Sequence, residues 1–454
     1  MWAVLHKRKL SSSQIILFGF AGVILVGTLV LMLPFATKGP GNATFLDALF
    51  TATTATCVTG LVTVPTVSAW STFGHIVILI LIQIGGLGVI TIMSALMMIM
   101  NRKIGLADRM LIQDAFNLNT LSGLVKFVRK VLIGTFLIEG IGAILYMFVF
   151  IPEFGLRGIW ISIFNAISAF CNAGMDIIGE NSLCDYATHP LINLVTSLLI
   201  ILGGIGYIVW WDVLRVLGNK RILKRHTFKH LTLHSKIAIS VTCILIAIGA
   251  IAVFIFEYNN PLTLKEYGLF DKIQLAIFQS VTTRTAGFAT IPQQDLTNPT
   301  AFVSLVLMFV GGSPVGTAGG IKTVTFAVII ASAISSIRSK EDTELFGRRL
   351  AKQAVSKAVA VASMSFLIMF VSTVFLSAVT DANALDIVYE TVSATATVGL
   401  TRNLTFSLNH LGKLIIIITM YFGRVGPISL AVAFRQKKDN QNIIRNPIEE
   451  ISVG

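Results

Sequence analysis

The residues of this chain best placed to do chemistry carry no reactive side chain. Gly60, Gly174, Gly287 and Gly399 close four short segments, TATTATCVTG, NAISAFCNAG, FQSVTTRTAG and ETVSATATVG. They recur at intervals of roughly 113 residues, the signature of an internal repeat. Each glycine completes a triplet: Val58-Thr59-Gly60, Asn172-Ala173-Gly174, Thr285-Ala286-Gly287 and Thr397-Val398-Gly399. Glycine beside small residues permits unusual, close-set backbone. The hydroxyls before three of the glycines (Thr51, Thr53, Thr54 and Thr56; Ser280, Thr282, Thr283 and Thr285; Ser393, Thr395 and Thr397) supply internal hydrogen-bond partners. The chemistry open to such backbone is coordination, in which rings of carbonyls replace the hydration shell of a cation. Four copies about a common axis would line a pore with four strips of carbonyls.

The surrounding chain is that of a polytopic membrane protein. Of 454 residues 54% are hydrophobic and only 13% charged, with mean hydropathy +0.81; a soluble chain carries about 25% charge. Apolar runs at 15–33, 76–100, 131–151, 191–211, 237–256 and 359–379 approach or exceed the ~18–20 residues that cross a hydrocarbon core. The net charge of +13 does not signal nucleic acid, because its basic residues gather in alternate loops. They cluster at Lys7 to Lys9, Arg102 to Lys130, Arg215 to Lys236, Arg338 to Lys357 and Arg435 to Arg445. That is the positive-inside pattern and puts both termini and three loops in the cytoplasm. Anionic lipid or an acidic cytoplasmic partner is the expected neighbour of those loops. The first apolar run reads as a retained helix, since no small-residue cleavage site follows Pro34. The four cysteines, Cys57, Cys171, Cys184 and Cys243, form no CxxC and no disulfide framework.

The expected fold is all-α, with four parallel helix, pore helix, helix repeats around one pore. Residues 1–12 form a cytoplasmic N-terminus, 13–100 repeat 1 and 101–123 a cytoplasmic loop. Repeat 2 follows at 124–217, a loop at 218–233, repeat 3 at 234–337, a loop at 338–352, repeat 4 at 353–434 and a cytoplasmic tail at 435–454. Each repeat holds an even number of full crossings, so all four point the same way and are related by an axis along the membrane normal. Phe278 stands one residue closer to its glycine than Phe50, Phe164 and Tyr389 do.

The second helix of repeat 3 is interrupted. A continuous helix over 300–337 would run about 57 Å, nearly twice the membrane core. The run contains GGSPVGTAGGIK at 311–322, where helix propensity is poor and Pro314 removes a donor. The freed backbone must face protein or a wet cavity. A flexible intramembrane gate built from Gly311, Gly312, Ser313, Gly316, Thr317, Gly319, Gly320 and Lys322 is the preferred reading; an inert buried hinge is the alternative. Ile321 between Gly320 and Lys322 breaks the phosphate-loop spacing and excludes a nucleotide site there.

Ionisable residues at membrane depth are costly and point to function. Arg424, in IIIITMYFGRVGP, either snorkels to the cytoplasmic edge or lies near a cavity below the glycine segments, where it would repel cations or bond the loop's carbonyls. Arg284 is expected behind its segment, bonded to carbonyls or to an acid such as Glu390. Glu139 reads mainly as a packed polar group, and Asp176, Glu180 and Asp185 follow the second segment on the outer side.

The four segments, the string TTRTAGF at 282–288, the interruption at 311–322 and YFGRVGP at 421–427 together resemble the Ktr/Trk/HKT superfamily of potassium transporters. Within it they are most similar to the bacterial KtrB-type membrane subunits. The resemblance spans 13–434 and implies K⁺ uptake through the four triplets, with K⁺ held at the glycine segments. Potassium-selective members carry glycine at all four positions, as here. The resemblance also implies a gate in the third repeat with Arg424 beside it, a homodimer with one pore per subunit, and a KtrA-type cytoplasmic nucleotide-binding ring. The location would be a bacterial inner membrane. Na⁺ is a candidate activator, and no nucleotide is expected on this chain. Two other readings remain open: an ion-coupled carrier of another solute, and a member that does not discriminate Na⁺ from K⁺. Enzyme motifs (HExxH, GxSxG, CxxC, paired acids) do not occur within the helices.

Overall fold

A computed structural model of the chain describes residues 11–39, 43–100, 105–115, 123–219 and 227–426. The expected N-terminus, most of the basic loops at 101–123 and 218–233, the end of repeat 4 and the tail at 435–454 lie outside these residues wholly or in part.

Four units follow one another, each with a long helix, a short helix and a second helix. The long helices are Ser12–Leu31, Leu124–Phe154, Leu233–Glu257 and Lys352–Ser377. All four are long and apolar enough to cross a membrane. Their outward faces are apolar: Leu25 and Leu29, Phe136 and Phe148, Ile248 and Ile255, Phe366 and Phe370 are all exposed. In water such faces would be a defect, and in lipid they are the solvated surface. The chain is a multi-pass membrane protein.

The short helices are Phe45–Cys57, Arg157–Cys171, Leu269–Thr282 and Ala384–Ala396, of 13, 15, 14 and 13 residues. At 1.5 Å per residue they reach about 20 Å and cannot span a ~30 Å core. The first of them has its start fixed locally. Thr44 accepts from the amide of Asp47 while the Asp47 carboxylate accepts from that of Thr44, a reciprocal capping box. Their far halves are buried almost completely, around Phe50, Phe164, Phe278 and Tyr389.

Packing closes the units into a ring. Each short helix packs on its own long helix and on the second helix of the preceding unit. Arg157–Cys171 lies on Thr72–Leu87, Leu269–Thr282 on Pro190–Gly204, and Ala384–Ala396 on Asn298–Phe309. Phe45–Cys57 of the first unit lies on His410–Val425 of the fourth.

The second helices depart from the expectation of continuous runs. In the first unit Thr72–Leu87 bends by 99° into Val89–Ile99, and in the second Pro190–Gly204 bends by 97° into Tyr207–Leu217. The turning residues are Gly88 (φ 85°, ψ 140°) and Gly206 (φ 93°, ψ 139°). Only glycine reaches this region without strain. Gly426, closing the fourth unit's second helix, has the same backbone (φ 86°, ψ 137°). Among the described residues, the third unit alone separates its two halves, Asn298–Phe309 and Thr323–Ile337, by a non-helical stretch. Beyond it, a small antiparallel hairpin pairs Glu344–Leu345 with Arg348–Arg349.

Candidate ion-coordination site

The four triplets share one backbone. Val58, Asn172, Thr285 and Thr397 have φ of 55°, 61°, 65° and 52°, and Gly60, Gly174, Gly287 and Gly399 have φ of 103°, 63°, 84° and 97°. The residues between them lack positive φ. A strand keeps φ negative and sends successive carbonyls to opposite sides; the alternating sign here breaks that pattern. Holding β-branched Val58, Thr285 and Thr397 in the left-handed region costs about 1–3 kcal/mol each. Helix-end bonds hold them there. The amides of Thr59, Ala173 and Val398 reach back to the carbonyls of Thr54, Ser168 and Ser393 at 2.9, 2.8 and 2.8 Å. In the third segment Ala286 reaches Thr282 at 3.0 Å, a turn one residue shorter. That shortening is the structural counterpart of the position of Phe278.

The triplets meet as neighbours around a closed ring. A Cβ on Gly60 would lie 2.6 Å from the Ala173 carbonyl oxygen, on Gly174 2.6 Å from that of Ala286, and on Gly287 2.6 Å from that of Val398. On Gly399 it would collide with the carbonyl oxygen of Thr59. Each glycine therefore makes room for the carbonyl of the next triplet, in the order first, second, third, fourth and back to first.

One hydroxyl braces every triplet, and it always stands one helical turn after the buried aromatic. Thr54 accepts from the Gly60 amide at 3.0 Å, and Ser393 from the Gly399 amide at 3.0 Å. Ser168 donates to the carbonyl of Met175 at 2.5 Å and Thr282 to that of Phe288 at 2.6 Å. Outside the ring lies a cavity of about 330 Å³ lined by the four glycines together with Asp176, Glu180, Thr401 and Asn403. Asp176 is nearly buried, and desolvation raises its pKa to about 6 despite bonds from Ser182 and the amides of Ile178 and Gly179.

The non-helical stretch of the third unit sits directly against the inner side of the ring. The Thr317 hydroxyl bonds the Phe170 carbonyl at 3.0 Å and Asn172 Oδ1 at 2.9 Å. The Gly319 amide donates to Thr285 Oγ1 at 3.1 Å, and a Cβ on Gly319 would collide with Thr397 Oγ1. The amides of Ser313 and Thr317 donate to the carbonyls of Gly204 and Gly203 at 2.8 and 3.1 Å. Gly312 accepts from the Thr323 amide, and Gly320 adopts φ 64° against Gly311. Gly316 packs so closely on the Gly203 carbonyl that a Cβ would lie 2.8 Å from it. Segments two, three and four thus all touch this stretch.

Three cations attach to its carbonyls. Arg424 Nη1 donates to Thr317 at 2.7 Å, and its Nη2 bonds the carbonyl of Gly85. Lys322 Nζ donates to Ala318 at 2.6 Å. Arg284 Nη2 donates to Gly311 at 3.0 Å. Glu390 is not its partner; that carboxylate accepts from Thr401 at 2.6 Å and from Thr405. Below the stretch, a cavity of about 240 Å³ is lined by Gly85, Gly88, Tyr207, Gly316, Lys322 and Arg424.

A pattern not drawn from the sequence alone organises these contacts. The strings GGLG at 85–88, GGIG at 203–206, GGSP at 311–314 and GRVG at 423–426 occupy the same place in the four second helices. A Cβ on Gly85, Gly203 or Gly423 would collide with the carbonyl of Thr56, Phe170 or Thr395, near the end of the short helix. Arg424 replaces the second glycine of the set, and Pro314 replaces the turning glycine.

The profile of the TrkH family, described as cation transport proteins, matches residues 21–445. The chain belongs to this family. It is 40% identical over 452 residues to the Ktr system potassium uptake protein B of Bacillus subtilis, covering 99% of this chain and 98% of that one. It is 38% identical over 454 residues to the potassium/sodium uptake protein NtpJ of Enterococcus hirae, with the same coverage. The crystal structure of the potassium transporter TrkH from Vibrio parahaemolyticus has the same fold, with TM-score 0.74 at 16% identity over 96% of this chain and 87% of that one. These relatives are cation transporters, not enzymes, and so is this chain.

Proposed function

We propose that this protein takes up K⁺ across a bacterial inner membrane through the ring of four glycine triplets. The ring closure by neighbouring carbonyls is the observation that carries the reading. K⁺ sheds water onto the carbonyls of Val58 to Gly60, Asn172 to Gly174, Thr285 to Gly287 and Thr397 to Gly399. The membrane potential drives it, at ~2.3 kcal/mol per charge per 100 mV. The stretch from Gly311 to Lys322 acts as the gate below the ring, held closed by Arg424, and opens when those bonds are exchanged for water.

The name of the Bacillus relative, a component of a Ktr system, supports a regulatory partner, for which a KtrA-type cytoplasmic ring is our proposal. A homodimer, cytoplasmic termini and stimulation by Na⁺ are part of the same reading. A member that also passes Na⁺ is the second reading, favoured by the potassium/sodium name of the Enterococcus relative. Flux of K⁺ and Na⁺ into proteoliposomes carrying the purified chain tests both. K⁺ flux well above Na⁺ flux supports the first, and comparable fluxes the second. A solute flux driven by pH with no cation flux would remove both.

A further inference from the structure

One difference among the four units falls on the buried aromatic. At the buried aromatic position three units carry Phe50, Phe164 and Phe278, whereas the fourth carries Tyr389. Its hydroxyl is not idle. Tyr389 Oη donates to Gln293 Oε1 at 3.0 Å across the boundary between the fourth and third units. Gln279, next to Phe278 on the third short helix, donates its Nε2 to the same oxygen at 2.7 Å. Gln293 Nε2 in turn donates to Gln279 Oε1 at 3.1 Å and to the Ile291 carbonyl at 2.6 Å. Gln279, Gln293 and Tyr389 are all buried.

An amide side chain offers two donors and an acceptor oxygen with two lone pairs. Gln293 uses all of them, so its orientation has no freedom left. Its backbone is gripped as well. The Gln293 carbonyl accepts from Arg402 Nη1 at 2.9 Å, and Arg402 Nε pairs with Asp386 at 2.7 Å. Asp386 and Tyr389 lie on the same short helix, Ala384–Ala396. One rigid element therefore holds Gln293 twice, through its side chain and through its carbonyl. Gln293 lies in the loop leaving Gly287, and Arg402 in the loop leaving Gly399.

We propose that Gln293 is a positioning residue that fixes the separation of the third and fourth triplets, and through it the size discrimination among monovalent cations. The proposal rests on reading the ring as the ion filter. Buried polar clusters with every partner satisfied are rigid, and on the snug-fit account of filters a ring of fixed size tells ions of different radius apart.

The test is the K⁺ to Na⁺ flux ratio in proteoliposomes for wild type, Tyr389→Phe, Gln293→Leu and Gly399→Ala, with thermal stability measured alongside. Tyr389→Phe keeps the packed ring and removes one bond, so the protein folds even if Gln293→Leu does not. We expect the ratio to fall about threefold to fivefold in Tyr389→Phe, on the scale of one hydrogen bond, with total K⁺ flux within about twofold. Gln293→Leu should lower it further. If Gly399→Ala shifts the ratio while Tyr389→Phe leaves it at the wild-type value, the positioning role falls and the filter reading stands. If no variant, Gly399→Ala included, shifts the ratio, both fall.

Discussion

The second helices of the first and third units start from the same glycines and end differently. GGLG at 85–88 turns the chain by 99° at Gly88 and helix resumes at once. GGSP at 311–314 puts Pro314 at the turning position, and helix does not resume until Thr323. Proline cannot adopt φ 85°, because its ring fixes φ near −65°. The chain must leave the helix by another path, and its freed amides and carbonyls need partners inside the membrane. Gly203 and Gly204 of the second unit accept from two of the amides, and Thr285 Oγ1 of the third triplet accepts from another. A bend is one low-energy conformation. A loop tied by separate, exchangeable hydrogen bonds has a second arrangement open to it, which the gate we propose requires.

The largest way to break this contrast is at a bend. Gly206→Ala would force a side chain into a backbone region costing about 1–3 kcal/mol and against the Pro314 carbonyl. We expect a clear loss of thermal stability in detergent, whereas Gly140→Ala, on open helix surface, should hold or slightly raise it.

At the loop the effect should appear in flux instead. Arg424→Ala removes two charge-assisted bonds, to Thr317 and Gly85, and should raise K⁺ flux by about tenfold. Arg424→Lys should lie between, because an ammonium cannot reproduce the fork that bonds both carbonyls. Thr317→Val removes one neutral hydroxyl bridging Phe170 and Asn172, so we expect a rise of about fivefold or less.

The smallest effect belongs to the outer mouth. The Asp176 pKa is raised to about 6, above the ordinary carboxylate range, because the charged form is desolvated. The group therefore disfavours the folded state at neutral pH, and that penalty is relieved as pH falls through about 6. Its charge, for which we propose a role in concentrating cations at the mouth, disappears over the same interval. K⁺ uptake at low external K⁺ should drop by about twofold from pH 7 to pH 5 in wild type and not in Asp176→Asn.

Much of the fold was legible in the residues. The four glycines marked the repeat, and segments such as FLDALFTATTATC are too short to span. The interruption at 311–322 was legible because glycine and proline accumulate there. The bends at Gly88 and Gly206 were not, because one glycine inside an apolar run costs a helix only about 1 kcal/mol and leaves hydropathy unchanged. Their signal was the recurrence of GxxG in three of the four units (GGLG, GGIG and GRVG), once the strings are aligned. The bracing hydroxyls Thr54, Ser168, Thr282 and Ser393 were hidden among other hydroxyls until the aromatic ahead of them fixed the register. The partner of Arg284 depended on how the third unit's loop folds back, which spacing does not specify.

The most direct test of the central claim is the K⁺ flux of a chain lacking residues 312–319, compared with wild type in proteoliposomes. If the loop is a gate held against the ring, K⁺ flux rises in the deletion while K⁺ remains preferred over Na⁺. A folded deletion whose K⁺ flux is unchanged or lower would contradict the account.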